Sequence, residues 1–298
     1  MATNSQSVRE LGARLSNAGR WGPDDERGTL NFITREHTLR AAGLIRSGRI
    51  VAASHVLDMQ ATARKPRAGY HRMLYRENRQ SACDAVMMEP HGYEITHIDA
   101  LGHVAMDGTA YNGRPFEEIV TRDGLTFASV LPMADGIATR GILLDIPRSQ
   151  GRDWMERGEE VTAADLARAA AWAHVIVGQG DALVVRTGLD ARERVTGPMG
   201  NDIRTGLGLD CLEWLYRREV SLFGGDCIEK LPSGDSAYSH PLHCVGLARM
   251  GLVLLDHIAV EELAAVCVEE RRWEFFFAVA PLRIPKATGS TVNPLCIF

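Results

Sequence analysis

Short apolar runs alternate with amphipathic segments along most of this chain. The segments GILLDI (141–146) and ALVVRTG (182–188) are apolar runs bounded by Gly, Pro or Asp, a pattern that is typical of buried strands. Between them, residues 161–176 carry apolar side chains on one helical face. Thr162, followed three residues later by Asp165, predicts a capping box at the start of that helix.

Periodicity and turn-forming residues predict the remaining elements. Further helices are expected over 35–47 with Thr34 as the cap, over 208–219 and over 240–250, and strands over 49–59, 86–88, 94–99, 221–225, 251–256 and 273–284. Because strands and helices alternate, we expect an α/β fold with a mixed β-sheet flanked by helices. Residues 1–48 form an irregular lead-in, and no linker divides the chain, so one domain over 1–298 is predicted. The basic, polar stretch 60–80 is expected to form a loop or flap.

Composition excludes several classes of protein. The chain has 298 residues, 45% of them hydrophobic, and a net charge of -5, so it can bury a large core. It has no basic patch, which argues against a nucleic-acid partner, and no apolar run near twenty residues, which argues against a membrane span. Its six scattered cysteines fit free thiols in a reducing compartment, and the polar N-terminus lacks a signal peptide, so a cytoplasmic location is predicted.

The segment HGYEITHIDALGH (91–103) carries the clearest chemistry. If residues 95–99 are extended, His97 and Asp99 lie on one face, since residues two apart in a strand share a face. Gly102 allows a turn that returns His103 toward that pair. Imidazole nitrogen and carboxylate oxygen are ligands that Zn²⁺ or Mn²⁺ accepts. Three histidines and an Asp around a Gly-bearing turn are harder to explain by packing than by a metal site.

The segment THIDALGH resembles the T-H-x-D-x-x-x-H signature of the cyclase family of metal-dependent hydrolases, which includes bacterial kynurenine formamidases and isatin hydrolases. The resemblance covers nearly the whole chain. Further matching segments follow in the same order: RWGPDDERGTLNFIT, HVAMDGTAYNG, GDALVVRTG, HPLH with GLVLLD, and the closing GSTVNPLCIF.

The resemblance implies a role for each matching residue. His97 and Asp99 fall on the family's metal ligands, and His103 on its catalytic histidine. His243 matches a histidine that serves a second metal in the formamidase branch. Asp256 stands where that branch carries a Glu, and the shorter side chain would displace or abolish a second metal.

The first ligand position departs from the family's pattern. The family commonly has a histidine four residues before the second ligand, and here Tyr93 stands at that position. His91 could reach the metal if the backbone bends at Gly92, Tyr93 could supply its phenol instead, or the site could be degraded. We prefer His91 as the ligand, and Tyr93 is also a candidate for substrate binding.

The resemblance therefore implies a fold like that of kynurenine formamidase and a divalent metal cofactor, Zn²⁺ or Mn²⁺. The expected activity is hydrolysis of an amide, lactam, ester or lactone bond in a small cyclic or aromatic metabolite. Metal-dependent lyase or cyclase chemistry, and small-molecule binding without catalysis, remain open as alternatives. A homodimer or homotetramer is implied, and Trp21 and Phe32 are expected to line the substrate pocket.

Other side chains remain undecided at this stage. His240 lies three residues before His243 on the same helical face and stays open as a site residue. Asp226 ends a predicted strand, where either a site role or stabilisation of a turn fits. No Cys–His pairing follows from spacing, and no G-x-S-x-G or G-x-G-x-x-G pattern suggests a serine hydrolase or a nucleotide cofactor.

Overall fold

The computed structural model describes residues 5–58, 70–75, 81–198 and 200–298 of the chain. Among these residues the strands form one large mixed sheet and three small two-stranded ones. In chain order the strands are β1 (Ile50–Ala52), β2 (Tyr70–Tyr75), β3 (Ala82–Met87), β4 (His97–Asp99), β5 (Val120–Thr121), β6 (Gly124–Leu125), β7 (Ile137–Asp145), β8 (Glu160–Val161), β9 (Ala182–Arg186), β10 (Gly206–Leu207), β11 (Leu222–Gly225), β12 (Val253–Asp256), β13 (Glu274–Val279), β14 (Gly289–Thr291) and β15 (Leu295–Ile297).

In the described residues, two helices precede β1 and the others lie between later strands, and together they flank the large sheet. They are α1 (Ser5–Arg14), α2 (Arg35–Ala42), α3 (Phe116–Ile119), α4 (Ile146–Ser149), α5 (Ala163–Trp172), α6 (Leu189–Thr196), α7 (Asp210–Arg217), α8 (Pro241–Val245) and α9 (Glu261–Glu270). Short 3₁₀ turns occupy Gly28–Phe32, Tyr111–Gly113 and Leu131–Met133, and a π-helical turn, Gly246–Met250, follows α8. In the described residues, no helix has both the length and the apolar character needed to cross a membrane.

The large sheet has nine strands in the order β1-β15-β13-β7-β9-β11-β12-β4-β14. Its centre, β7-β9-β11-β12, is parallel, whereas the pairings on either side are antiparallel. Every residue of β9 and β11 is buried. Helices cover both faces of such parallel strands, which explains why these strands appear as continuous apolar runs in the sequence. The predicted α/β fold with a mixed sheet flanked by helices is confirmed.

Helix starts were predicted more accurately than helix ends. Thr34 caps α2 and Thr162 caps α5, the second through the predicted capping box with Asp165. The helix predicted over 35–47 nevertheless ends at Ala42, because the chain turns at Gly43. The helix predicted over 240–250 divides into α8 and the π-helical turn.

Several strands are shorter than predicted. The strand expected over 49–59 is confined to β1, and the one expected over 273–284 ends at Val279, where Pro281 soon removes a backbone donor. The strand expected over 94–99 shrinks to β4 because residues 92–95 bend, with Gly92 at a φ of 130°.

Other elements were not predicted. The lead-in begins with α1, whose Val8 and Leu11 are buried, and β14 and β15 follow β13 at the end of the chain. Within the stretch predicted as a flap, β2 pairs with β3 in a hairpin, whereas residues 60–69 and 76–80 lie outside the described residues.

Candidate metal centre

Strand β4 presents two of the predicted ligands from one face. His97 and Asp99 alternate along the strand and are both buried, with His97 Nε2 3.5 Å from Asp99 Oδ1. Pairing of β4 with β12 sets Asp256 directly opposite His97, and their nearest side-chain atoms lie 3.7 Å apart. Two neighbouring strands therefore bring three ligand side chains to one place.

The bend before β4 brings His91 to the same group. His91 Nδ1 lies 3.0 Å from Asp99 Oδ1, and its other nitrogen, Nε2, contacts the Thr288 hydroxyl at 3.0 Å. After β4 the chain turns back, and the His103 ring stacks on the His91 ring with centroids 3.8 Å apart and planes within 4°. The expected bend at Gly92 and return of His103 are both present.

Helix α8 contributes His243 to the same group. Its Nε2 lies 3.3 Å from Asp256 Oδ2 and 3.8 Å from Asp99 Oδ2. The opposite nitrogen, Nδ1, contacts the buried Glu229 carboxylate, which also accepts a hydrogen bond from the backbone amide of Leu242 at 2.9 Å. Glu229 thereby fixes the ring so that Nε2 faces the carboxylates.

The three imidazoles share one arrangement: each turns one nitrogen toward Asp99 and engages the other with a protein group. In His97, Nδ1 donates to the Ile95 carbonyl at 2.7 Å, which leaves Nε2 as an acceptor facing Asp99. Metal-binding histidines in proteins are usually oriented in this way by a second hydrogen bond. The ring orientations therefore fit a ligand role.

Unpartnered buried atoms at the centre fit a cation. Among the residues that the structure describes, neither carboxylate oxygen of Asp99 nor Nδ1 of His91 has a hydrogen-bond partner, although all three atoms are buried and His91 and Asp99 lie only 3.0 Å apart. A buried carboxylate without donors is costly unless a positive ion satisfies it. Within the described residues, two groups place one ligand atom of each member within 4.8 Å of the others, and Asp99 belongs to both: His91–His97–Asp99 and Asp99–His243–Asp256.

Charge and burial set the protonation states around the centre. Burial by itself would raise the pKa of Asp99, but the surrounding imidazoles, His91 foremost, outweigh it and hold that pKa well below its usual range. Burial lowers the pKa of His103 to about 4, against the opposing effect of the Asp99 carboxylate. Burial also opposes protonation of His243, but the Glu229 carboxylate outweighs it and raises the pKa of His243 well above its ordinary value. Near pH 7, Asp99 is therefore anionic and His103 is neutral.

A cavity of about 330 Å³ opens onto these side chains. Its walls also include Val104, Ser239 and Cys244. Its volume falls within the range of small-molecule sites, which are typically roughly 300–1,000 Å³.

A family model described as a putative cyclase matches residues 54–229, more than half of the chain. The chain belongs to the cyclase family.

Solved structures agree with this membership. A crystal structure of a novel cyclase is 29% identical to this chain, and the alignment covers 96% of this chain and 99% of the other, with a TM-score of 0.86. An isatin hydrolase bound to the product analogue thioisatinate is 19% identical over 88% of this chain and 98% of its own, with a TM-score of 0.58. Isatin hydrolase A from Labrenzia aggregata, bound to benzyl benzoate, is 17% identical to this chain. The alignment covers 86% of this chain and 94% of the hydrolase, with a TM-score of 0.58. At identities this low, the likeness to the two hydrolases shows only that their fold is shared with this chain. No functionally curated protein matches the chain.

Tyr93, where the resemblance leads us to expect the first ligand, directs its hydroxyl to another side chain. The phenol bonds to His240 Nε2 at 2.8 Å, and the Arg204 guanidinium lies over the ring, 4.3 Å from its centroid. His91 faces Asp99 instead. Tyr93 and His240 both line the cavity, so the pair belongs to the wall of the site.

The two aromatic residues predicted to line the pocket lie elsewhere in this chain. Trp21 and Phe32 pack edge to face with centroids 5.1 Å apart, and Arg20 lies over both rings. Neither is among the residues that line the 330 Å³ cavity. Asp226 also lies outside that cavity: its carboxylate accepts hydrogen bonds from the backbone amides of Thr187, Gly188 and Leu189 at the start of α6. It stabilises a turn, which was one of its two expected roles.

Sequence reasoning missed Glu229, Gly289 and Arg204. A Cβ on Gly289 would lie 2.6 Å from His91 Cε1 and 2.7 Å from the Ile98 carbonyl oxygen, so only glycine leaves room for the His91 ring. Gly289 opens the segment GSTVNPLCIF, so the glycine itself is visible in the sequence. That it packs against His91 could not be deduced from the sequence. Glu229 and Arg204 lie in segments without a chemical motif, and only folding shows that they adjoin the site.

Proposed function

We propose that this protein is a metal-dependent hydrolase that cleaves an amide, lactam, ester or lactone bond of a small cyclic or aromatic metabolite. One observation carries the proposal: histidine nitrogens and carboxylate oxygens converge on Asp99, whose two oxygens are buried without hydrogen-bond donors. The names of the fold neighbours, two of them isatin hydrolases, support the choice of hydrolysis.

His91, His97 and Asp99 would hold one divalent ion, and Asp99, His243 and Asp256 a second. Mixed nitrogen and oxygen ligands suit Zn²⁺ and Mn²⁺ alike. Such an ion supplies a water of lowered pKa and polarises a carbonyl. Asp256 reaches His243 despite being one methylene shorter than the glutamate expected there, so the shorter side chain does not argue against a second ion.

His103 is the proposed proton carrier. It lines the cavity and stacks on His91, and its pKa of about 4 keeps the ring neutral near pH 7, so a ring nitrogen can accept a proton from water. The same ring then donates that proton to the leaving nitrogen or oxygen. Tyr93 and His240 present polar atoms on the cavity wall, where they would orient the substrate.

Metal analysis of two variants tests these roles. His97→Ala removes a ligand and is expected to abolish metal retention, whereas His103→Ala is expected to keep the metal and lose turnover. His174→Asn, at an exposed histidine outside the cavity, is the control and should match the unaltered protein in both measurements. Equal metal loss in the first two variants would make His103 a ligand. Metal at less than about a tenth of an equivalent in the unaltered protein would favour the non-catalytic binder instead.

Turnover in ¹⁸O-labelled water separates hydrolysis from lyase or cyclase chemistry. Hydrolysis must place an oxygen atom from water into the product, so we expect one labelled oxygen per turnover. Product that forms without label would contradict hydrolysis and favour dehydration or ring closure.

We also propose a setting for this activity. The chain would act as a single domain, in the cytoplasm, where its six cysteines stay reduced; none of them forms a disulfide in the structure. It would form a homodimer or homotetramer in which a neighbouring subunit completes the pocket. The substrate is a small molecule, without a nucleic-acid or membrane partner.

A further inference from the structure

Arg204 is a buried guanidinium without a carboxylate partner among the described residues. The residue is 3% exposed, and its backbone is held by two hydrogen bonds to Leu231, at 2.9 and 3.0 Å. Its Nη2 reaches only the sulfur of Cys227, at 3.6 Å, and its Nη1 has no hydrogen-bond partner. Because arginine stays protonated in proteins, this side chain carries a full positive charge into the interior.

The guanidinium faces a small void beside the metal cavity. The void measures about 20 Å³, enough for a single water or a single oxygen atom. It shares five wall residues with the 330 Å³ cavity, namely Gly92, Tyr93, His240, His243 and Asp256. Arg204 therefore lines a void that is separated from the proposed metal ligands only by shared wall residues.

The acidic side chains around this void are already engaged. The Asp226 carboxylate accepts backbone amide hydrogen bonds at the start of α6. Glu229 contacts His243 Nδ1 and the Leu242 amide, and Asp256 lies against His243 Nε2. In the described part of the chain, Arg204 therefore has the Tyr93 ring and the Cys227 sulfur as neighbours but no carboxylate, and a buried charge without a counter-charge is costly.

We propose that Arg204 recognises a carboxylate group, carried by the substrate or released in the product, while the remainder of that molecule occupies the metal cavity. This inference rests on the proposed function, because it assigns a chemical class to the ligand of the same site. One carboxylate oxygen fills the void and accepts a hydrogen bond from Nη1. Charge-assisted pairs of this kind are among the strong hydrogen bonds in proteins. Tyr93 and His240 belong to the wall that the void and the cavity share, so the carboxylate reaches Nη1 past these two side chains.

Binding of benzoate and of its neutral isostere benzamide tests the proposal. Both are titrated calorimetrically into the metal-stripped and the Zn²⁺-loaded protein. The unaltered protein is expected to bind benzoate at least about tenfold more tightly in both forms, because a hydrogen bond to a charged group is worth that much. Arg204→Met should remove the preference, and Arg204→Lys should keep part of it, since lysine retains the charge without the planar fork.

Two further variants serve as controls. Arg283→Gln removes an exposed guanidinium paired with Asp135, far from the cavity walls, and should leave the preference intact. His174→Asn, at an exposed histidine outside the cavity, should leave the preference intact as well. Circular dichroism and metal stoichiometry show whether each variant is folded.

Several outcomes would overturn the proposal. These are equal affinity for the two probes in the unaltered protein, an undiminished preference in Arg204→Met, or a preference that exists only with Zn²⁺ bound, which would assign the carboxylate to the metal. If the protein retains no metal yet prefers benzoate, the proposed function fails while the role of Arg204 stands.

In the active enzyme, a higher kcat/KM for 4-carboxyphenyl acetate than for phenyl acetate places the carboxylate on the substrate. Equal kcat/KM values with inhibition by benzoate place it on the product.

Discussion

Gly289 shows how one missing side chain shapes the site. The residue pairs with Asp99 across the β14–β4 ladder, and a Cβ there would collide with His91. Gly289→Ala is expected to push His91 away from Asp99 and to weaken metal binding at least about tenfold, by analogy with losses seen when ligand orientation is disturbed. Titration of the metal against a competing chelator measures the change.

The matched control for this substitution is Gly178→Ala. A Cβ at Gly178 meets no heavy atom within 4 Å and its φ is not in the left-handed region. That variant should bind metal like the unaltered protein. Unchanged affinity in Gly289→Ala would mean that His91 is not a ligand, and would reopen the first ligand position.

His103 leads to a prediction about pH. Burial lowers its pKa to about 4, so the folded protein keeps this ring neutral throughout pH 5–7, where a free histidine would gain a proton. Protonation of His103 should therefore not limit kcat/KM between pH 5 and 7. Any acid loss in that range should follow loss of metal, measured in parallel after rapid desalting. A decline near pH 6.5 with metal fully retained would contradict this assignment.

Which residues could be predicted from sequence depends on how far apart their partners lie along the chain. His97 and Asp99 are two apart in a strand, so their shared face follows from local geometry alone. Asp256 and His243 join them only through pairing of β12 with β4 and packing of α8. The resemblance to the family predicted that His243 and Asp256 join the site, whereas the spacing of residues along the chain did not. The contact of Tyr93 with His240 is equally long-range, and no local pattern indicated it.

At the scale of elements, periodicity predicts the buried centre better than the edges. The parallel strands β7, β9, β11 and β12 form the centre of the large sheet, and their apolar runs reflect burial on both faces. The three-residue strands β14 and β15 are too short to show alternation, and their position is set by their partners. Helix starts were predictable where a side chain caps the helix, since that interaction is local.

The cap of α5 allows a prediction at this scale. Thr162 accepts a hydrogen bond from the Asp165 amide and closes a reciprocal capping box. Thr162→Ala should lower the free energy of unfolding by about 1 kcal/mol, whereas Thr162→Ser, which keeps the hydroxyl, should cost less. Urea denaturation measures both, with metal content as a check that the distant site is intact. Equal stability of the two variants would show that the hydroxyl does not contribute.

In the whole molecule, the proposed ligands join segments that are far apart in sequence. They come from the bend before β4, from β4 itself, from β12 and from α8, so an ion held by them would link the sheet edge to a helix. A ligand that binds only the folded state stabilises it by mass action, about 4 kcal/mol at a thousandfold excess over Kd. The unfolded chain offers no assembled site. Stability should therefore rise with the concentration of free Zn²⁺ or Mn²⁺.

Thermal unfolding checks this expectation. The metal-stripped protein should unfold several degrees below the metal-loaded one, and titration with Zn²⁺ or Mn²⁺ should raise Tm continuously past the point of one or two equivalents. Asp99→Asn should abolish the metal-dependent rise, because Asp99 belongs to both ligand groups. Asp135→Asn, at an exposed carboxylate outside the cavity, should retain it. Binding of an ion at this site must shift the folding equilibrium. If added metal does not change the Tm of the unaltered protein, or if the Tm of Asp99→Asn still rises with metal, these side chains do not bind a common ion.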